Sequence, residues 1–365
     1  MSSERGITTP NAIIAILIAI ILITAAFGAY GWLRPIEEVV EPIEMDLVDR
    51  AKLEGTLTIY SAIDTPDFEQ VVKPAFLDIY PWATINFVGL GSGEALSKII
   101  SEYQAGLVTA DVYTGTQGAV YTAYEAGAIA TYANPMVSLM HYPEGSFDPS
   151  NRWQPCYTLP IVLIYNINLV PEDEVPQSWE ELADAKWNGK FAIDSPAILN
   201  AAGPLFAHMY PILGETAWND LMQDIAANNP IITQSSSDIF QKVVSGEVHI
   251  GLGLVNDYVA SQDEDLPINI AWLEPNTAIA LVATIQTDAP YPAMAQLFLQ
   301  WWSSADGQYA NGATGRVPAH PALAADTVLA GLLPPGVQVA AAASNNPDFY
   351  ENPDDWSDTF KDIFG

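Results

Sequence analysis

The sequence predicts an α/β body of two lobes held behind a single N-terminal transmembrane helix. Three observations predict it. From Gly55 onward, short β-branched runs alternate with helical periodicity, the pattern of a parallel sheet with helices on both faces. The chain has 365 residues, half of them apolar, too many for one typical core and enough to fill two. Ahead of that body, Ala12 to Ala29 is an uncharged run rich in Ala, Ile and Leu.

That run comes first in the chain. A spanning helix needs about 20 apolar residues, whereas a signal-peptide core needs about 7–15. The run sits at the spanning end, and Tyr30 and Trp32 follow it as interfacial anchors do. Residues 11–33 are therefore read as an uncleaved anchor; cleavage after Gly28 is the competing reading. No cysteine lies just after the run, which excludes a bacterial-type lipid anchor. Arg5 precedes the helix, and Arg34 is followed at once by Glu37, Glu38, Glu41 and Glu44. This charge order places residues 1–10 in the cytoplasm and the body outside, as a single-pass cell-membrane protein. Residues 34–54 read as an acidic spacer, because Pro35 to Asp46 alone holds two prolines and four glutamates.

The body opens with Thr56 to Tyr60, β-branched and aromatic, as a buried strand. Thr65 caps a helix with Pro66 as its first residue, running to about Ile79 with Phe68, Val71, Val72, Ala75 and Phe76 inward. Strand Ala83 to Val88, a glycine turn and helix Glu94 to Gln104 follow, then strand Asp111 to Thr114. The alternation resumes with strands at Ile161 to Tyr165, Lys190 to Ile193, Val248 to Leu252 and Ala278 to Ile285. Helices are predicted at Trp179 to Ala183, Thr216 to Asn228, Ile239 to Ser245 and Ala293 to Ser303. The tail ends in an amphipathic helix carrying Trp356, Phe360, Ile363 and Phe364, either docked on the body or loose.

Composition excludes several functions. Twelve Lys and Arg stand against 44 Asp and Glu, a formal net charge of -32, which would repel nucleic acid. The charge is read as a solubility adaptation rather than as a cation site. One cysteine, Cys156, allows no internal disulfide. The four histidines, His141, His208, His249 and His320, show no metal-ligand spacing, so neither a zinc site nor another cofactor is expected. An enzyme would need a nucleophile and a base; Ser92 lacks the G-x-S-x-G elbow and His320 lies between Ala319 and Pro321.

In open α/β sheets, ligands bind beyond the carboxyl ends of strands, at the following helix N-termini. Three strand ends carry suitable chemistry: Ser61 to Thr65 with Ser61 and Asp64, Gly91 to Gly93 with Ser92 and Gly93, and Thr114 to Gly118 with Thr114 and Thr116. Glycines expose backbone N–H groups there, and helix dipoles favour an anion, so the cradle suits a carboxylate, phosphate or phosphonate. Asp194 and Asn200 lie on a strand-to-helix loop facing the same cleft, although Asp194 reads equally as a helix cap. Arg316 is either a ligand clamp or a packing residue. Tyr113, Tyr157, Tyr165, Trp187 and Trp272 read as core.

These motifs come in a telling order: E-G-T-L-T-I-Y-S-A (Glu54 to Ala62), V-G-L-G-S-G-E-A-L-S-K-I (Val88 to Ile99) and A-D-V-Y-T-G (Ala110 to Gly115). After them come P-I-V-L-I-Y-N (Pro160 to Asn166), W-N-G-K-F-A-I-D-S-P (Trp187 to Pro196), V-S-G-E-V-H-I-G-L-G-L-V-N-D-Y (Val244 to Tyr258) and G-R-V-P-A-H-P (Gly315 to Pro321). The set resembles the solute-binding proteins of ABC importers, in the group that includes ferric-iron, phosphonate and thiamine binders. The resemblance implies a periplasmic-binding-protein-like type II fold with a central hinge. It implies lobe 1 over 55–155 and 270–325, lobe 2 over 156–269, and a tail over 326–365. It also places Asn256 and Tyr258 in the cleft, and implies ABC permease subunits as partners of a monomeric receptor.

Iron binders of this group typically place adjacent tyrosines where this chain has Asn256-Asp257-Tyr258-Val259, leaving one tyrosine. Many also use a histidine after the first strand, where Asp64 or a neighbour stands, and a glutamate where Thr116 stands. Ferric iron wants several hard anionic oxygens, and this set is thin. The expected ligand is therefore a small anionic or zwitterionic solute, with Asp64 meeting its amine and the amide cradle its anionic end. Ferric iron, and a surface sensor or adhesion protein on the same fold, are the alternatives. The expected mechanism is ligand-driven lobe closure.

Overall fold

In the computed structural model the residues described are 45–142, 147–198, 201–262, 265–324, 332, 340–341, 346 and 348–365. The expected membrane helix, the residues before it and most of the expected spacer lie outside them. Among the described residues no helix is long and apolar enough to cross a membrane. The end of the expected spacer is corrected: Leu47–Glu54 is a helix, α1, belonging to the body. Leu47, Val48 and Ala51 recur at helical spacing, and Ala51 is wholly buried. Glu54 then caps the later helix Pro292–Trp302, accepting from the backbone N–H of Ala293 at 3.1 Å and Met294 at 2.7 Å.

In the first half of the sheet, β1 (Thr56–Ser61) lies parallel between β2 (Thr84–Gly89) and β3 (Val112–Thr116). The predicted single helix after β1 is broken into α2 (Thr65–Asp67), a π turn (Phe68–Val72) and α3 (Lys73–Ile79). Pro74 has no N–H for a regular ladder, and the wider turn before it absorbs the defect. Of the predicted inward face, Phe68, Val72 and Phe76 are buried and Val71 and Ala75 half-buried, and Phe68 stacks on Phe87 at 4.0 Å. Helix α4 (Ser92–Ala105) joins β2 to β3, and β3 runs straight into α5 (Gln117–Glu125). β4 (Ile129–Ala130) and α6 (Pro135–Leu139) follow.

β5 (Gln154–Asn166) carries the chain into the second half, and it is longer than the predicted Ile161 to Tyr165. Pro155 and Pro160 hide its first part from a propensity reading, yet that part is buried in the sheet. In the second half, β6 (Phe191–Asp194) lies parallel to β7 (Ile231–Thr233) and β8 (Ile250–Leu254). Helices α7 (Ala202–Leu213), α8 (Glu215–Ala227) and α9 (Ser236–Ser245) connect them, and β8 leads into α10 (Val255–Ala260). β9 (Ile268–Ala271) returns along β5, and β10 (Thr277–Gln286) re-enters the first half antiparallel to β3 and β5.

The strand order is β2-β1-β3-β10-β5-β8-β6-β7, so β5 belongs to both halves. Its residues up to Pro160 pair with β10, and from Ile161 it pairs with β8. The chain crosses twice at this seam, along β5 and through residues 272–276. Helices α11 (Pro292–Trp302) and α12 (Ala305–Gly312) pack on the first half, and β11 (Val317–Pro318) pairs with β5 at Thr158 and Tyr157. α13 (Pro321–Ala324), β12 (Ala340–Ala341), α14 (Asp348–Glu351) and α15 (Pro353–Phe364) complete the described chain. α15 is docked, with Trp356 and Phe360 buried as its amphipathic pattern predicts.

Candidate functional site

The strand ends meet at the seam because of their register. Thr116, ending β3, lies opposite Leu281 at the middle of β10, and Leu254, ending β8, lies opposite Ile161 at the middle of β5. Each half therefore directs its carboxyl strand ends at the other. Gly315 brings them into contact: at φ +78°, a Cβ there would lie 2.9 Å from Val259 Cγ1 and 3.6 Å from Asn256 Cα. Only glycine meets both the backbone angle and the space.

On the first half, Ser61 and Thr114 are wholly buried and share a hydrogen bond of 2.6 Å between their hydroxyls. Ser61 Oγ accepts from the Ile63 N–H at 3.1 Å, and Thr114 Oγ1 from the Ala62 N–H at 3.3 Å. These hydroxyls shape the turn after β1. Thr116 caps α5, accepting from the Ala119 N–H at 3.4 Å. Beside it, Gln117 has a buried Oε1 with no protein partner. Ser92 and Gly93 open α4; the Ser92 carbonyl accepts from Tyr113 Oη at 3.1 Å, and nothing lies within 4 Å of where a Gly93 Cβ would be. The first backbone N–H groups of that helix have no intrahelical acceptor.

Asp64 has a protein partner that the sequence did not show: Arg316 Nη2 donates to its Oδ2 at 2.8 Å, while the side chain stays largely exposed. Arg316 Nη1 donates to Asp67 at 2.5 Å, and the guanidinium lies 5.4 Å from the Tyr157 ring centroid. The Arg316 side chain is only 2% exposed, whereas that of Asp64 is 69% exposed. Burial alone would lower the Arg316 pKa, but Tyr157 and the two carboxylates outweigh it and raise it. Its Nε is buried without a partner.

Across the seam, Asn256 and Asp257 begin α10, and each keeps one buried side-chain oxygen without a protein partner. Burial, with the charge of Asp64, pushes the Asp257 carboxyl up to about 6 against the opposing pull of Ser236 and Arg316. Tyr258 turns its hydroxyl to Asn269 Oδ1 on β9, at 3.3 Å. Asp194 is wholly buried and caps α7, its two oxygens accepting from the N–H groups of Ala201 at 2.7 Å and Ala202 at 2.8 Å. Asn200 lies outside the described residues.

The site thus differs from the sequence reading in emphasis. Arg316 and Asp67 join Asp64, Asp257 stands between the two candidates Asn256 and Tyr258, and Gln117 follows Thr116. The signals for the last two were their positions beside candidates already singled out. Asp67 carried no signal, because only tertiary folding brings residue 316 to residue 67. The expected core aromatics Tyr113, Tyr157, Tyr165 and Trp187 are buried, and Trp272 is half-buried. Among the described residues no group of three or more His, Cys, Asp or Glu is placed to hold a metal. The first half offers helix-start backbone donors and a buried cation held by two carboxylates, and the second half offers the unpartnered oxygens of Asn256 and Asp257. That chemistry suits a small polar molecule, and among the described residues of the site no nucleophile is set beside a base.

Two α/β halves crossed twice by the chain, with their strand ends facing across a polar seam, define a type II periplasmic-binding-protein fold. Solved structures share it. Iron-bound HitA from Pseudomonas aeruginosa superposes with a TM-score of 0.69 at 20% identity, covering 84% of this chain and 99% of that one. AfuA from Actinobacillus pleuropneumoniae, with fructose-6-phosphate bound, gives 0.70 at 21% identity, covering 85% and 98%. The substrate-binding protein of an ABC transporter from Agrobacterium tumefaciens gives 0.71 at 17% identity, covering 85% and 94%. An uncharacterised protein from Haemophilus influenzae is 25% identical over 267 residues, 71% of this chain and 75% of that protein. Residues 78–350 match the model of the bacterial extracellular solute-binding proteins, and the chain belongs to that family. It is a family of binding proteins, not of enzymes.

Proposed function

We propose that this chain is the extracytoplasmic receptor of an ABC importer, capturing a small anionic or zwitterionic solute as the two sheet halves close on it as lobes. The apolar run at residues 11–33 tethers it to the membrane, and β5 with residues 272–276 is the hinge. The observation that carries the reading is the polar seam, where Arg316, Asp64 and Asp67 of one half face Asn256 and Asp257 of the other. A solute touching both sides prefers the closed state and shifts the population toward it. The N–H groups at the starts of α4 and α5 take the anionic end. Asn256 and Asp257, rather than Asp64, accept from its hydroxyl or ammonium donors.

Ferric iron is the second reading, favoured by the likeness to iron-bound HitA. Against it, Asp64 is held by Arg316 and the Tyr258 hydroxyl by Asn269, which leaves few free anionic oxygens. A thermal-shift panel of sugar phosphates, phosphonates, amino acids and ferric citrate tests both readings, because a bound solute raises apparent stability by mass action. A rise with an organic anion or zwitterion is expected. A rise with ferric iron alone would replace the first reading by the second, and no response to any of them would remove the receptor claim.

A further inference from the structure

The C-terminal segment touches both halves of the sheet. α15 is anchored on the second half: Trp356 lies edge-on to Trp218 of α8 at 5.7 Å and to Tyr210 of α7 at 5.4 Å, and Phe364 stacks on Phe206 at 5.8 Å. Ser357 Oγ donates to the Ala197 carbonyl at 2.8 Å, in the turn that follows β6. Asn346 Nδ2 donates to the Ala207 carbonyl of α7, also at 2.8 Å. This anchor is apolar, aromatic and extensive.

One residue, Asn352, separates α15 from α14, and Asp348 rivets the two together. Its Oδ1 accepts from Asn352 Nδ2 at 2.7 Å and its Oδ2 from Trp356 Nε1 at 2.9 Å. Phe349 is buried beside this joint, its ring 5.8 Å from that of Trp356. Held in this way, α14 packs against α5 of the first half. β12, earlier in the same segment, pairs in parallel with Thr277 and Ala278, where β10 leaves the seam. Among the described residues the attachment to the first half is thus one short helix and two paired residues, less extensive than the aromatic anchor.

We infer that the C-terminal segment is a strap between the halves: α15 stays fixed to the second half and presents α14 to α5, a contact that exists only when the halves are together. A contact made in one state alone shifts the balance toward that state by its own free energy. The strap therefore favours closure before any solute arrives. The inference rests on the reading that the halves move as lobes.

The test uses the full chain with spin labels on Leu107→Cys in the first half and Ile232→Cys in the second, both exposed, while Cys156 is buried. Pulsed dipolar spectroscopy then gives the distance distribution between the halves without ligand. Asp348→Ala breaks the rivet and leaves the aromatic anchor in place. It should raise the weight of the longer distance about threefold or more, and Asp348→Asn, which keeps an acceptor, by less. Asp358→Ala, which removes only the partner of Lys361 on the exposed face of α15, should change nothing. Unchanged weights in Asp348→Ala, beside two distances in the parent, would overturn the strap alone. One distance common to the parent and every variant would overturn the strap together with the lobe reading.

Discussion

Arg316 Nη2 donates to Asp64 Oδ2 at 2.8 Å, joining the turn before β11 to the turn after β1 across 252 residues of sequence. The bond couples a nearly buried cation to an exposed carboxylate, so its two ends respond unequally to mutation.

Arg316→Met removes the cation and leaves Asp64 and Asp67 facing each other near Asp257. Truncating one partner of a fully buried pair costs about 3–5 kcal/mol, but exposure of Asp64 and Asp67 to solvent reduces the expected loss to about 1–2 kcal/mol. Asp64→Asn should cost less than about 1 kcal/mol, because water screens that end. Urea unfolding of both variants and of the double variant gives the coupling directly. Equal losses from the two single variants would contradict the asymmetry.

Asp194→Ala should destabilise by about 2–4 kcal/mol, since it strips the α7 cap and leaves two N–H groups with no acceptor. Asp194→Asn keeps one acceptor oxygen and should lose about half as much. If Asp194 acted on the solute instead, both variants would weaken solute binding and leave the melting temperature unchanged. Calorimetry with a solute found in the thermal-shift panel separates the two.

How much of this was legible beforehand follows from where the information lies. β1, β2, β3 and β10 are apolar, β-branched runs bounded by turns, and their strands stand within a residue or two of the predicted ones. The α2–α3 stretch is broken because Pro74 acts on the hydrogen-bond ladder, which periodicity alone ignores. α7 carries Gly203, Pro204 and Pro211 and is apolar nearly all round, so it shows no amphipathic stripe, and no helix was predicted there. In the site, residues on one strand-end turn could be grouped by sequence, as Ser61 and Asp64 were, whereas Asn256 and Tyr258 came from the family resemblance. The pairing of Arg316 with Asp64 and Asp67 could not, because nothing local ties residue 316 to residues 64 and 67. Asp194 showed both its possible roles in sequence, and only the positions of Ala201 and Ala202 reveal the capping one.

Thr114→Val removes a buried hydroxyl that bonds Ser61 and the Ala62 N–H, and it should cost about 1–2 kcal/mol. Ser61→Ala should cost a similar amount, because it removes the short partner of the Thr114 hydroxyl and the acceptor of the Ile63 N–H. The two losses should be less than additive, since each variant already breaks the shared bond. Thermal unfolding of the single and double variants checks this; strict additivity would mean the 2.6 Å contact contributes nothing.

The Asp257 carboxyl titrates near 6 in the folded protein, against an ordinary value of 3.8, because burial and the charge of Asp64 disfavour its ionised form. Folding therefore binds a proton there between those two values. At pH 7.5 the ionised carboxylate destabilises the fold; as the pH falls through 6 that penalty is relieved, and below 3.8 nothing more is gained. Asp111, buried and also titrating near 6, acts in the same direction, whereas Asp148, held down by Arg152 against its own burial, loses stabilisation as the pH falls. The comparison with Asp257→Asn isolates the one group, because the others are common to both proteins. The variant should gain less stability, or lose more, than the parent between pH 7.5 and pH 5, as read by urea midpoints at each pH. Parallel pH profiles would mean that Asp257 is fully solvated and that α10 does not press its carboxyl into the seam.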